Sequence, residues 1–230
     1  HDTLGPVYET VAKLSASIPS HTSLIGFAGA PWTVATYMVE GKGSKDFANI
    51  RRFAYGDPDG FSRLIDILVE ATTQYLLKQV EAGAECIQLF ETWGGVLSEN
   101  GFRRWVIEPT KKIVANLKAV HLDLPVIGFP RGAGLHLIDF KQHTGVDAVG
   151  LDSGVPLKWV AENLQPLGPV QGNLDPMYLI TGGDEMIEET RRILDTLRNG
   201  PFIFNLGHGI TPETSPENVG KLVEFIRNYG

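Results

Sequence analysis

Leu24-Ile25-Gly26-Phe27-Ala28-Gly29-Ala30-Pro31-Trp32 is a short apolar run that passes through small residues into a proline. Leu24 to Ala28 reads as a strand buried on both faces, and Pro31 suits the first position of the helix that follows. The same grammar recurs along the chain. Glu85 to Phe90, Val126 to Phe129, Ala148 to Leu151, Val170 to Gly172 and Phe202 to Leu206 are further short apolar runs, and longer stretches of helical period separate them.

Helix starts carry recognisable chemistry: Asp57-Pro58 before Phe61, Ser98-Glu99, Asp184 before Met186, and Ser215-Pro216-Glu217 before Val219. The clearest helix is expected from Phe61 to about Ala82, where Phe61, Leu64, Ile65, Leu68, Ala71, Tyr75 and Leu76 keep the helical spacing and Gly83 ends it. Strand followed by helix, six times over, requires parallel strands joined by helical crossovers. The fold class is α/β. No long linker or short-period repeat divides the chain, so residues 1–230 are expected to form one domain.

Open sheets and closed barrels both satisfy this pattern, and the unusual residues decide between them. They follow nearly every strand: Ala28 to Trp32, Phe90 to Gly95, Phe129 to Gly132, Leu151 to Gly154, Gln171 to Asp175 and Asn205 to Gly209. A (β/α)8 TIM barrel builds its site from every strand-to-helix loop, whereas an open sheet concentrates it at one crevice. The barrel is favoured. It needs eight strand–helix units and about six are read here, so two more are expected upstream of His1.

Composition narrows the function. Twenty Lys plus Arg against 27 Asp plus Glu leave a formal charge of −7, which excludes an electrostatic nucleic-acid binder. No apolar run reaches the roughly 18 to 20 residues that cross a bilayer. The single cysteine, Cys86, cannot form an internal disulfide, and a soluble cytoplasmic protein is expected. Phosphate-loop and dinucleotide fingerprints are absent. Ser153, His208 and Asp152 lack the nucleophile elbow of a hydrolase. His136 and His143 lie seven residues apart without a third ligand, so no metal site is assigned and both are expected to be exposed.

Among the strand-end residues, His208 stands between two glycines, which let backbone and ligand approach while the imidazole donates a hydrogen bond. A solvated turn histidine is the alternative. Thr92 has a hydroxyl fit for a ligand carboxylate or, as the residues alone favour, a helix cap. Tyr37 reaches over the mouth or completes a packed face, and packing is favoured. Glu91, Asp152 and Asp175 are read as structural carboxylates. Arg131 fits an anion clamp and a cap equally well.

Taken together, these loops resemble the uroporphyrinogen decarboxylase family of tetrapyrrole (haem) biosynthesis. Gly26-Phe27-Ala28-Gly29-Ala30-Pro31-Trp32-Thr33 followed by Thr36-Tyr37-Met38-Val39-Glu40-Gly41 resembles the signature G-F-A-G-A-P-W-T and T-Y-M-V-E-G. Phe90 to Gly95, Gly150 to Asp152, Gln171 to Pro176 and Asn205 to Gly209 match further family blocks in order. The resemblance implies a (β/α)8 barrel acting as a homodimer, without a cofactor, on uroporphyrinogen III. Its four acetate arms become methyls, giving coproporphyrinogen III and carbon dioxide.

By the same resemblance Tyr37, Thr92 and His208 contact substrate, and Phe27 and Phe90 line the apolar floor beneath the macrocycle. Many relatives carry serine where Thr92 stands. The family's R-Q-A-G-R segment and its aspartate facing the pyrrole N–H groups have no counterpart in this sequence, so no catalytic residue is assigned. Only Arg131 and His208 offer cations at the visible strand ends to a ligand with eight carboxylates, and the chain alone is expected to be inactive. Two rival readings are a related zinc-dependent cobalamin or coenzyme M methyltransferase and a non-catalytic porphyrin-binding fragment. The first needs His and Cys ligands at strand ends, whereas Cys86 falls inside a strand.

Overall fold

The computed structural model describes residues 2–41, 44 and 46–229; His1, upstream of which further units are expected, lies outside them. All six expected strands form, each within two residues of the apolar run that marked it. The chain divides into two compact units, His1–Ala148 and Val149–Gly230.

In the first unit, α1 (Gly5–Ser17) precedes β1 (Ile25–Gly29), α2 (Pro31–Glu40), α3 (Ala48–Gly56) and α4 (Pro58–Glu81). Then come β2 (Cys86–Glu91), the short helix α5 (Glu99–Phe102), a π-helical turn over Arg103–Ile107, α6 (Glu108–Val120), β3 (Val126–Pro130) and α7 (His136–Thr144). The strands are parallel in chain order: Ile25 pairs with Cys86 through Gly29 with Phe90, and Ile87 with Val126 through Glu91 with Pro130. That register brings the carboxyl ends of β1, β2 and β3 to one level.

Caps explain where the helices start. Asp57 accepts the Gly60 N–H at the start of α4, and Ser98 accepts the Gly101 N–H at α5. Pro31 and Pro58 occupy first-turn positions that need no N–H donor. Gly83 ends the α4 segment at φ +111°, where a side chain would also strike Ser15. Phe61, fully buried on α4, centres the core of this unit. Trp32, Phe53 and Trp105 meet it edge-on with centroids at 5.7, 5.2 and 4.8 Å.

In the second unit, β4 (Ala148–Gly150, beginning at the boundary), α8 (Leu157–Trp159), β5 (Val170–Leu174), α9 (Pro176–Thr181), α10 (Gly183–Leu197), β6 (Phe202–Leu206) and α11 (Pro216–Arg227) follow in order. Val149 pairs with Val170, and Val170 through Leu174 pair with Phe202 through Leu206, again in parallel. Asp175 caps α9 and Ser215 caps α11 through the N–H groups of Met177 and Glu217. Asp184 falls in the first turn of α10, and Gly182 takes the cap position expected of it.

Two further expectations need correction. β1 and β6 alternate between covered and exposed residues instead of being buried on both faces: Ile25 and Phe27 are exposed, as is Ile203. Successive strand residues point to opposite faces, and helices of the same unit cover only one of them. His143 is exposed as expected, with Nδ1 3.0 Å from an Asp139 carboxylate oxygen. His136, however, is half-buried and stacks on Phe102 at 5.0 Å. No helix among the described residues is long and apolar enough to cross a membrane.

Candidate strand-end site

Four of the five candidate residues share the carboxyl-end face of the first unit. Phe27 of β1 is 58% exposed and meets Phe90 of β2 edge-on at 5.7 Å; Phe90 in turn meets Phe129 of β3 at 5.9 Å. Three neighbouring strands thus carry a row of rings that runs from exposed Phe27 through half-buried Phe90 to buried Phe129.

Tyr37 stands beside it, two turns into α2. It is 53% exposed, so it does not complete a packed face, and its ring meets Trp93 in a T-shaped contact at 6.4 Å. Trp93 is a hub that sequence reasoning missed. It also packs on Phe47 at 5.0 Å, its carbonyl accepts the Trp32 indole N–H at 3.1 Å, and the Arg131 guanidinium lies 6.0 Å from its ring centre. A tryptophan immediately after a strand-end Thr was the available signal.

Thr92 is half-buried, and the capping alternative does not hold for it. Ser98 caps the helix that follows, and the Thr92 hydroxyl makes no hydrogen bond among the described residues, which leaves it free for a ligand. Its backbone N–H, by contrast, is held by the Thr33 hydroxyl at 2.8 Å. That hydroxyl donates to Glu91, whose carboxyl is fully enclosed; burial pushes it up to about 8. Glu91, Asp152 and Asp175 each make structural hydrogen bonds, the last two to the N–H groups of Gly154 and Met177.

His208 belongs to the second unit, in the turn after β6, and is exposed. Its flanking glycines differ in role. A side chain at Gly207 would sit 2.4 Å from the Ser153 backbone N and 3.0 Å from the Asn173 carbonyl, so this glycine lets the turns after β4 and β6 press together against the end of β5. Gly209 has open space around it. The expected freedom therefore serves protein packing on one side of the imidazole and leaves room on the other.

The family model described as uroporphyrinogen decarboxylase (URO-D) matches residues 1–229. The chain belongs to the uroporphyrinogen decarboxylase family. Relatives named uroporphyrinogen decarboxylase include one from Rhodospirillum rubrum, 57% identical over 226 residues, which is 98% of this chain and 65% of that protein. Another, from Cereibacter sphaeroides, is 53% identical over 99% of this chain and 66% of its own length. The chain therefore spans just under two thirds of the length of these relatives.

A solved methyltransferase from Methanosarcina mazei superposes with a TM-score of 0.80 over 97% of this chain and 64% of that one, at 19% identity. At that identity the likeness speaks for fold alone. The family fold is the (β/α)8 barrel, and this chain carries six of its strand–helix units. Among the described residues no three His, Cys, Asp or Glu side chains converge, and Cys86 opens β2 at the end opposite the strand-end turns.

Proposed function

We propose that the protein containing this chain decarboxylates the four acetate arms of uroporphyrinogen III, yielding coproporphyrinogen III and four molecules of carbon dioxide. The observation that carries this reading is the family match along residues 1–229, on a chain whose β1 and β2 present the exposed Phe27 ring and the half-buried Phe90 ring beside an unengaged Thr92 hydroxyl. Each step replaces a carboxylate by a proton. The electron pair released with carbon dioxide passes into a pyrrole protonated at its ring carbon; a second proton then arrives at the new methyl and the ring carbon gives up the first, so one proton is consumed per carboxylate lost. The substrate is its own electron sink, so the protein's task is orientation, proton delivery and stabilisation of a cationic ring.

Phe27 and Phe90 are proposed to support the macrocycle, and Tyr37 and Thr92 to bind it through their hydroxyls. His208 of the second unit is proposed as a further substrate contact. Arg131 is committed in part to the Trp93 ring, and the chain's net charge is −7. Most cations for eight carboxylates are therefore proposed to lie in the part of the relatives that this chain does not span, and the 230 residues alone are proposed to be inactive. We further propose one barrel domain, a homodimer and a cytoplasmic location.

The test is anaerobic incubation of the full-length protein with uroporphyrinogen III, followed by chromatography of the oxidised porphyrins. Stepwise loss of carboxylates down to four is expected. Binding without any loss would reduce the protein to a porphyrin-binding one. The same assay with His208→Ala is expected to show slower turnover, and an unchanged rate removes His208 from the site.

A further inference from the structure

At the junction of β2 and α2 one hydroxyl serves three groups. Thr33 donates to Glu91 Oε1 and accepts the backbone N–H of Thr92 at 2.8 Å and of Trp93 at 3.4 Å. Glu91, the last residue of β2, is 2% exposed, and its Oε2 has no hydrogen-bond partner among the described residues. Chain and side chains close over it: a side chain added at Gly94 would lie 3.2 Å from Glu91 Cγ and as near to Phe102. A carboxyl needed only to cap α2 could do so from the surface, as Asp57 does for α4. Enclosure with one oxygen unpaired is a costly arrangement that calls for another reason.

We propose that Glu91 is a positioning residue: through the Thr33 hydroxyl it fixes the backbone of Thr92 and Trp93, and with them the Thr92 hydroxyl offered to substrate and the Trp93 ring beside Tyr37. The substrate half of this statement rests on the function proposed above; the positioning half does not. Burial raises the carboxyl to about 8 against the lowering pull of the Thr33 hydroxyl and of the backbone N–H groups of Thr33, Trp93 and Trp32. Near neutral pH Glu91 is uncharged and the bridge holds. Above about 8 the carboxyl ionises in a site whose desolvation outweighs the hydroxyl and N–H groups that favour the charged form, and the carboxylate is then drawn toward water, so that Thr33 loses its acceptor and the turn loosens.

No charged side chain contributes to the shift. On α3, Arg51 donates to the Asp46 carbonyl while its Nε stays buried without a hydrogen-bond partner among the described residues, and Arg52 is exposed, as are Glu99, Glu108 and Lys111. Arg131 lies toward Trp93, Arg103 pairs with Asp139, Arg104 sits over Trp105, and Glu40 at the far end of α2 accepts from Asn49 and the Ile50 N–H. His136 stacks on Phe102. On α4, Asp66 pairs with Lys112 and Lys78 with Glu81, Glu70 accepts from Gln74, and Asp59 and Arg63 are exposed.

The test follows amide hydrogen exchange of the peptide holding Thr92 and Trp93 in the full-length protein from pH 6 to 9.5, corrected for the intrinsic pH dependence of exchange. Wild type should lose about tenfold protection on passing pH 8, the worth of one hydrogen bond. Glu91→Gln, which keeps an acceptor for Thr33 but cannot ionise, should stay protected throughout. Thr33→Val should be unprotected at every pH, and Thr33→Ser should restore the wild-type profile. In decarboxylation assays the alkaline fall of kcat/KM near pH 8 should vanish in Glu91→Gln. A Thr33→Val protein as protected as wild type overturns the proposal, as does the same pH profile in Glu91→Gln. If Glu91→Gln does not fold, the wild-type profile and the Thr33 pair still decide. A full-length protein without turnover but with the expected exchange profiles would refute the proposed function and leave the positioning role standing.

Discussion

Gly95→Ala tests whether the strand-end turns of the first unit are held by direct contact of main chains. A side chain at Gly95 would stand 2.6 Å from the Gly132 carbonyl oxygen, 2.9 Å from its carbon and 3.0 Å from its Cα. These are backbone atoms, so no flexible side chain can swing aside. Gly132 is itself at φ +71°, a conformation its lack of a side chain permits. The shortest contact is about 0.8 Å below ordinary van der Waals distance, so the turn after β2 must move by a similar amount from the turn after β3.

Overpacking of that kind costs about 1–3 kcal/mol of stability. Thr92 and Trp93 belong to the displaced turn, and a misplacement approaching 1 Å costs up to about a hundredfold in rate. In the full-length protein, urea unfolding should therefore show a lower midpoint with unchanged slope, and kcat/KM for uroporphyrinogen should fall about 10- to 100-fold. Gly5→Ala, where nothing lies within 4 Å, is the control and should lower neither. If Gly95→Ala stays within about 0.5 kcal/mol and twofold of the parent, the turns are not positioned by that contact.

Phe61→Ala should lower the unfolding free energy by about 3–5 kcal/mol, because it empties the centre of the Trp32, Phe53 and Trp105 cluster; chemical denaturation reads this directly. Asp57→Ala removes the cap of the 24-residue α4 and should cost about 1 kcal/mol in the same assay. Gly220→Ala, in exposed α11 with open space around it, should raise the thermal midpoint slightly, for a gain of up to about 1 kcal/mol. The pH dependence of stability has a fixed sign. Between about 4.5 and 8 the unfolded chain ionises Glu91 while the native protein keeps it protonated, so stability falls as pH rises through that window, by at most about 5 kcal/mol, and is level again above it. Urea titrations of wild type and Glu91→Gln should diverge over this range, and parallel curves would refute the buried-acid assignment.

Much of this molecule is written locally. Asp57, Ser98, Asp175 and Ser215 can each cap a helix with their own side chain, and the helical spacing from Phe61 onward needs no distant partner to be recognised. The same holds for the six apolar runs that became parallel strands, and for the family motifs that pointed to Tyr37, Thr92, His208, Phe27 and Phe90. Local sequence could not separate the alternatives open to Thr92 or Tyr37, because capping and packing depend on which neighbours arrive. Thr92 was left without a helix to cap once Ser98 took that role, and Tyr37 was left exposed in a T-shaped contact with a tryptophan 56 positions away.

Tertiary structure alone decided three further matters. The sheet's exposed face fell on alternate residues of β1 and β6, although both runs are apolar throughout most of their length. Gly207 proved to serve the meeting of strand-end turns. Glu91 became an enclosed acid tied to a hydroxyl 58 residues away. Helix period and capping are properties of a few consecutive residues, so the sequence carries them on its own. Enclosure, dielectric and close approach are properties of what the folded chain brings alongside, and they come into being only when distant segments meet.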